Sequence, residues 1–173
     1  VFPWKAVAAG AAALVGALGV AVLIGRRYES PSPPRVALIG DSYAVGLGPE
    51  LAKLLPEFRH EGRVGAGTAA YRLPTWLAAF QPQVVLVSLG VNDGTAPSRA
   101  NYQALVRTLH GLGARVLWIE PPAGVQAPAV RQVIASLGVA TVPATTTPLA
   151  ADGLHPRSYD PWSVDIAQAV ARA

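Results

Sequence analysis

The chain has 173 residues and a mass of 17.9 kDa, which suits one domain with an appendage. Hydrophobic residues make up 51% of it and charged residues 14%, so material for a core is ample. The net charge of +4 would admit a nucleic-acid partner, but the arginines stand singly except at Arg26-Arg27, without a basic run or interleaved aromatics, and this excludes one. Cysteine is absent, which rules out disulfides and cysteine-based metal sites.

Residues Ala6 to Gly25 carry no charge, no proline and no strongly polar group. As a helix rising 1.5 Å per residue, such a run spans about 30 Å, the thickness of a bilayer's hydrocarbon core. Lys5 precedes the run, Arg26-Arg27 closes it, and Trp4 and Tyr28 sit where interfacial aromatics belong. A cleaved signal peptide has a shorter apolar region followed by a small-x-small site, and here only Gly19-Val20-Ala21 resembles one, inside the run. A buried core helix would show a polar face, and this segment has none. Residues 1–28 are therefore expected to be a membrane anchor with a transmembrane helix over about 6–25. Residues 29–34, which include Ser30-Pro31-Ser32-Pro33-Pro34, read as a proline-rich linker. The flanking charges nearly balance, so positive-inside counting does not orient the anchor. Its position as a signal anchor, with a basic residue before it, argues for an N-terminus inside and the following domain outside the cytoplasm. The wealth of Ala, Gly, Pro and Arg, with lysine only at Lys5 and Lys53, reads as a bacterial or phage-encoded chain.

From Arg35 onward, strand-like and helix-like segments alternate. The expected fold over 35–173 is α/β: a three-layer α/β/α domain with a flavodoxin-like, five-stranded parallel sheet. Val36–Ile39 is the first strand. Gly48-Pro49 reads as the start of the first helix, with Leu51, Leu54 and Leu55 inward and Pro56 as its end. Phe58–Val64 is a second strand, and Gly65-Ala66-Gly67-Thr68 is a turn. An amphipathic helix follows near Ala69–Phe80, with Pro74 as a point of interruption. Gln83–Leu89 is the strongest strand and ends in Gly90-Val91-Asn92-Asp93-Gly94. Next come a helix over Ser98–Leu112, a strand over Arg115–Ile119, a helix near Val125–Leu137 and a short strand at Val139–Val142. The loop Pro143–Pro156 carries Asp152 and His155, and Tyr159–Arg172 is a closing helix.

Ser42 stands at the carboxyl end of the first strand, the edge where open α/β sheets bind ligands. Alone, Gly40-Asp41-Ser42 suits a helix cap as well as a nucleophile. The other loops at the same edge then matter, because they carry Asn92, Asp152 and His155. Acyl transfer needs a nucleophile, a base, a group that orients the base, and donors for the oxyanion. These residues fill those roles one for one.

The chain resembles the SGNH (GDSL-type) hydrolase superfamily of esterases, lipases and deacetylases. The first block is Gly40-Asp41-Ser42, the third is Gly90-Val91-Asn92-Asp93, and the last is Asp152-Gly153-Leu154-His155 followed by Pro156. The second block, a glycine after the second strand, is matched by Gly65 or by Gly67. The likeness covers Arg35–Ala173. It implies Ser42 as nucleophile, His155 as its base and Asp152 as the group that orients His155. It also implies an oxyanion hole of the Ser42 N–H, the Gly65 or Gly67 N–H and the Asn92 amide, with no metal and no cofactor. Asp41 and Asp93 are expected to support the site by accepting backbone N–H bonds that tie loops together. Tyr43 stands where the family usually has leucine, which bears on the shape of the pocket. His60 and His110 lack an acidic partner at ligand spacing and read as surface or structural residues. Tyr159 and Trp162 either wall an acyl pocket or pack the last helix. Gly46 and Gly48 make no phosphate loop, since neither glycine-rich signature is complete.

The resulting expectation is a membrane-anchored serine esterase, monomeric in its domain, that hydrolyses short acyl or acetyl esters on a polysaccharide or cell-wall glycan. Two alternatives share the same residues. One is an O-acyltransferase, and the other is a non-catalytic module that keeps the fold.

Overall fold

Five short runs, mostly apolar except the polar edge strand β2, become strands: β1 (Val36–Gly40), β2 (Phe58–Gly62), β3 (Val84–Ser88), β4 (Arg115–Ile119) and β5 (Ala140–Val142). The computed structural model describes residues 32–173, and a compact unit runs from Pro33 to Ala173. The anchor expected over 1–28, and residues 29–31 of the linker, lie outside the described residues. Among the described residues no helix is long and apolar enough to cross a membrane.

The strands form one sheet in the order β2-β1-β3-β4-β5, and every pairing is parallel. Every residue of β1 and of β3 is buried, because helices cover both faces of the sheet. Alternate residues divide between those faces. Ala37, Ile39, Val85, Val87, Val116 and Trp118 face α2 (Trp76–Phe80), α3 (Arg99–Gly111) and α4 (Pro128–Ala135). Val36, Leu38, Leu86, Leu117 and Ile119 face α1 (Ser42–Leu54) and α5 (Asp160–Ala171). Trp118 is fully buried, stacks on Tyr102 at 5.0 Å and donates its indole N–H to the Leu89 carbonyl at 3.1 Å. Burying such a side chain stabilises the fold by about 3 kcal/mol. The indole bond also fixes the start of the loop that carries Asn92.

Two elements differ from the sequence expectation. Helix α1 begins at Ser42, not at Gly48-Pro49, and takes Pro49 into its interior. The Asp41 carboxylate accepts the Tyr43 N–H at 3.0 Å and starts the helix early. Gly46 and Gly48 are poor helix formers, yet each admits an aromatic ring against the helix backbone. A Cβ would lie 2.3 Å from the Tyr159 ring at Gly46 and 2.2 Å from the His60 ring at Gly48. Tertiary packing therefore outweighs the cost of two glycines and a proline.

The helix expected over Ala69–Phe80 is also broken. A 3₁₀ turn at Thr68–Ala70 gives way to irregular chain, and α2 holds only Trp76–Phe80. Pro74 disfavours helical geometry at Leu73. Tyr71 is turned inward, where its hydroxyl accepts the Gly40 N–H and donates to the Glu61 carbonyl, both at 3.2 Å. The other elements match the expectation to within a few residues at their ends.

Because β1 lies between β2 and β3, the chain leaves its carboxyl end at the point where the strand order reverses. Loops after neighbouring strands diverge there and leave a crevice. That crevice is where the sequence puts Ser42.

Candidate active site

Gly40 closes β1 against β3 so tightly that a Cβ would lie 2.1 Å from the Ser88 carbonyl oxygen. The Asp41 N–H donates to that same oxygen at 2.9 Å, which fixes the chain as it leaves the sheet. Ser42 follows as the first residue of α1. Its N–H is one of the amides a helix leaves unpaired at its positive end.

The loop that carries His155 has no regular structure, but it is stapled onto itself. Leu149 and Pro156 form an antiparallel bridge, and the Ala150 N–H donates to the His155 carbonyl at 2.7 Å. At its tip Gly153 adopts φ +66°, a conformation that favours glycine. Asp152 Oδ1 accepts the Leu154 N–H at 2.9 Å and the His155 N–H at 3.0 Å, while Oδ2 lies 2.7 Å from His155 Nδ1. His155 Nε2 then lies 2.9 Å from Ser42 Oγ. The structure thus brings Ser42, His155 and Asp152 into one hydrogen-bonded line across 113 residues of chain. The imidazole bond, followed by the two backbone N–H groups, holds the Asp152 carboxyl down at about 2. Asp152 is therefore ionised at neutral pH and accepts from Nδ1–H, which leaves the Nε2 lone pair for the Ser42 hydroxyl.

Asn92 sits in a 3₁₀ turn over Val91–Asp93, exposed at the same edge. Its amide donates to the Ala66 carbonyl at 3.1 Å and faces Asp41 Oδ2 at 3.5 Å. Asp93 Oδ1 accepts the Thr68 N–H at 2.7 Å, tying this turn to the glycine loop after β2. The two candidate glycines are set apart by what demands a glycine at each. Gly65 has φ +75° in a turn closed by the Ala66 N–H on the Arg63 carbonyl, and a side chain there would meet open space. Gly67 is packed on the Asn92-Asp93 turn, where a Cβ would lie 2.6 Å from Asp93 Oδ1.

Asp41 is fully buried, and desolvation pushes its carboxyl up to about 7 despite the Tyr43 N–H and the charge of His155. This raised value predicts a pH dependence of stability. The folded state binds a proton that the unfolded state has already released between about pH 4 and pH 7, so stability falls as pH rises through that window and levels off above it. Asp41→Asn should flatten the slope, measured by urea unfolding at pH 5 and pH 7.5. An unchanged slope in the variant would refute the assignment.

The remaining residues divide plainly. His60 is exposed on the edge strand and stacks on Phe58 at 5.7 Å, and His110 is exposed in the last turn of α3. Neither approaches the triad. Trp162 is fully buried and half-buried Tyr159 stacks on it at 6.3 Å, so the pair packs the last helix. Sequence reasoning missed Tyr71, whose hydroxyl links β1 to β2 beneath the site, because its spacing suited an amphipathic helix. Among the described residues no group of three His, Asp or Glu side chains is placed to hold a metal ion. Two cavities flank the loops. One, of about 350 Å³, is mostly apolar and touches Val91, Val125, Val130 and Leu154. The other, of about 390 Å³, touches Gly67, Asn92 and Asn101.

No family model and no curated protein matches the sequence. Solved structures do match the fold. A GDSL-like lipase from Bacteroides thetaiotaomicron superposes with a TM-score of 0.62 at 16% identity, over 80% of this chain and 88% of that one. A catalytic mutant of Axe2, an acetylxylan esterase from Geobacillus stearothermophilus, gives 0.59 at 17% identity, over 80% and 93%. An acetyl xylan esterase, AlAXEase, gives 0.54 at 15% identity, over 80% and 100%. At such low identities the likeness establishes a shared fold.

Proposed function

We propose that this chain is a serine esterase that cleaves short acyl esters, including acetyl esters of a polysaccharide or cell-wall glycan, through an acyl-enzyme. The observation that carries the reading is the line from Ser42 Oγ through His155 to Asp152, at 2.9 and 2.7 Å, on the strand-carboxyl edge of the sheet. The similar structures include two acetylxylan esterases, Axe2 and AlAXEase, and the catalytic mutants of Axe2 replace a histidine in one case and a serine in another, which supports the same chemistry here.

In this mechanism Ser42 Oγ attacks the ester carbonyl while Nε2 of His155 takes the hydroxyl proton. The Asp152 carboxylate stabilises the imidazolium that results. The charge on the carbonyl oxygen is met by the Ser42 N–H, the Asn92 amide and the glycine-loop N–H, for which Gly67 is the better placed candidate beside Asn92. The Ala66 carbonyl takes one amide hydrogen of Asn92, and the second, which faces Asp41 Oδ2 at 3.5 Å in the free protein, would leave that long contact for the oxyanion. His155 returns its proton to the leaving alcohol; water, deprotonated in turn by His155, attacks the acyl-enzyme, and the acid leaves as that proton passes back to Ser42 Oγ. Anchoring through residues 6–25 and placement outside the cytoplasm belong to the same reading. External protease acting on intact spheroplasts should release the domain, and protection of it would remove the cell-wall substrate.

A panel of p-nitrophenyl esters of increasing chain length tests the function. Hydrolysis should be fastest for acetyl and propionyl esters, and a chain inactive on all of them is not an esterase. On the best ester, Asn92→Ala should lower kcat about a hundredfold or more, the usual effect of losing an oxyanion donor. Wild-type kcat in that variant would take Asn92 out of the oxyanion hole.

A further inference from the structure

We propose that Tyr43 is the positioning residue that holds His155 on Ser42, an inference that rests on the esterase reading. Tyr43 follows Ser42 in α1 and is 2% exposed, so its side chain is spent on packing. Its hydroxyl donates to the Leu154 carbonyl at 3.1 Å, across 111 residues of chain. Leu154 is the neighbour of His155, so the bond seizes the backbone beside the imidazole. The Tyr43 ring also meets the His155 ring edge-on, at 5.5 Å between centroids and 69° between planes. Behind it Trp162 packs edge-on at 5.8 Å and 72°, and Tyr159 stacks on Trp162 over Gly46. One wall of aromatic rings therefore runs from the closing helix to the imidazole.

The need for such a tether follows from the loop. Residues between β5 and α5 have no regular structure. The Ala123 N–H holds the loop at the Thr145 carbonyl, ten residues before His155, while, the Tyr43 and Ser42 contacts aside, the bonds of the stretch around Leu149–Arg157 run within that stretch. The Asp152 bonds likewise fix the imidazole relative to its own loop, not relative to Ser42. Tyr43 spans the gap from the helix that bears the nucleophile. A leucine at this position would fill space but offer no donor. Burial also pushes the Tyr43 phenol above its ordinary range, so it keeps its proton and remains a donor throughout the working pH.

Tyr43→Phe in the full chain keeps the ring and removes the donor. We expect kcat on p-nitrophenyl acetate to fall about tenfold with KM unchanged within about twofold, as positioning predicts. The rate at which a small fluorophosphonate labels Ser42 should fall by the same factor, since that reaction needs the Ser42–His155 pair without an ester subsite. A role in stability alone would shift the melting temperature and leave both rates per folded molecule intact, and that result overturns the proposal. Should Tyr43→Phe not fold, 3-fluorotyrosine at position 43 alone alters the acidity of the hydroxyl in an intact ring. A changed kcat at constant melting temperature then supports the tether, and an unchanged kcat overturns it. A wild-type chain that neither hydrolyses esters nor reacts with the probe sinks the esterase reading itself. An active wild type with an equally active Tyr43→Phe variant sinks only the role of Tyr43.

Discussion

Ser42→Ala is expected to abolish ester hydrolysis, with a loss in kcat on the order of 10⁴-fold or more. The argument is one of geometry and of balance. Ser42 Oγ is the hydroxyl that lies within hydrogen-bonding distance of His155 Nε2, so it alone can be deprotonated as it attacks. On the proposed mechanism no acyl-enzyme forms without that oxygen, and only slow direct attack by water remains. The substitution should be nearly silent in the fold. Ser42 is half-buried at the first position of α1, and alanine is a good helix former, so stability should change by no more than about 0.5 kcal/mol. The measurement is kcat, together with the intact mass after a fluorophosphonate. The wild type should gain one adduct and Ser42→Ala none. Activity or labelling that survives in Ser42→Ala would place the nucleophile elsewhere.

The sheet was the most legible part of the chain, for a physical reason. Strands buried on both faces, such as Val84–Ser88, are apolar at nearly every residue, and a run that short, bounded by turn residues and followed by a helical pattern, reads as little else. The site was legible because each of its residues follows a strand. The sheet edge gathers such loops whatever their separation in sequence, so the sequence alone groups Ser42, Asn92, Asp152 and His155. What failed was local. The start of α1 depends on Asp41 reaching the Tyr43 N–H and on two aromatic rings settling on Gly46 and Gly48, and those rings come from β2 and from the segment before α5. No pattern near residue 48 announces them. Tyr71 was lost for the same reason, since its partners Gly40 and Glu61 belong to two other segments. Tyr43 read as an oddity in a motif until its partner, the carbonyl of Leu154, could be seen. Backbone acceptors leave no trace in a side-chain pattern.

His155→Ala should cost about as much as Ser42→Ala, and the double variant should cost no more than either, because the two act as a unit. Asp152→Asn should be damaging but milder, about 10³-fold in kcat, and the difference follows from what each atom of Asp152 does. Oδ1 accepts the Leu154 and His155 N–H groups, and an asparagine oxygen can keep both bonds. Oδ2 meets Nδ1, where an amide NH₂ would set donor against donor and favour the tautomer that carries its hydrogen on Nε2. That tautomer cannot accept from Ser42. Its hold is weakened by exposure: half of the Asp152 side chain is open to solvent, against about a third of His155, so water can replace the lost acceptor on Nδ1. The loop bonds kept by Oδ1 and the Tyr43 contact keep the ring near Ser42 meanwhile. Steady-state kinetics on p-nitrophenyl acetate for the two single variants, and for the double Ser42/His155 variant, check the ordering. If Asp152→Asn matched the wild type, the exposed carboxylate would be no part of the machinery. If it matched His155→Ala, the carboxylate would be the sole orienting group and the backbone of the loop would contribute nothing to holding the base.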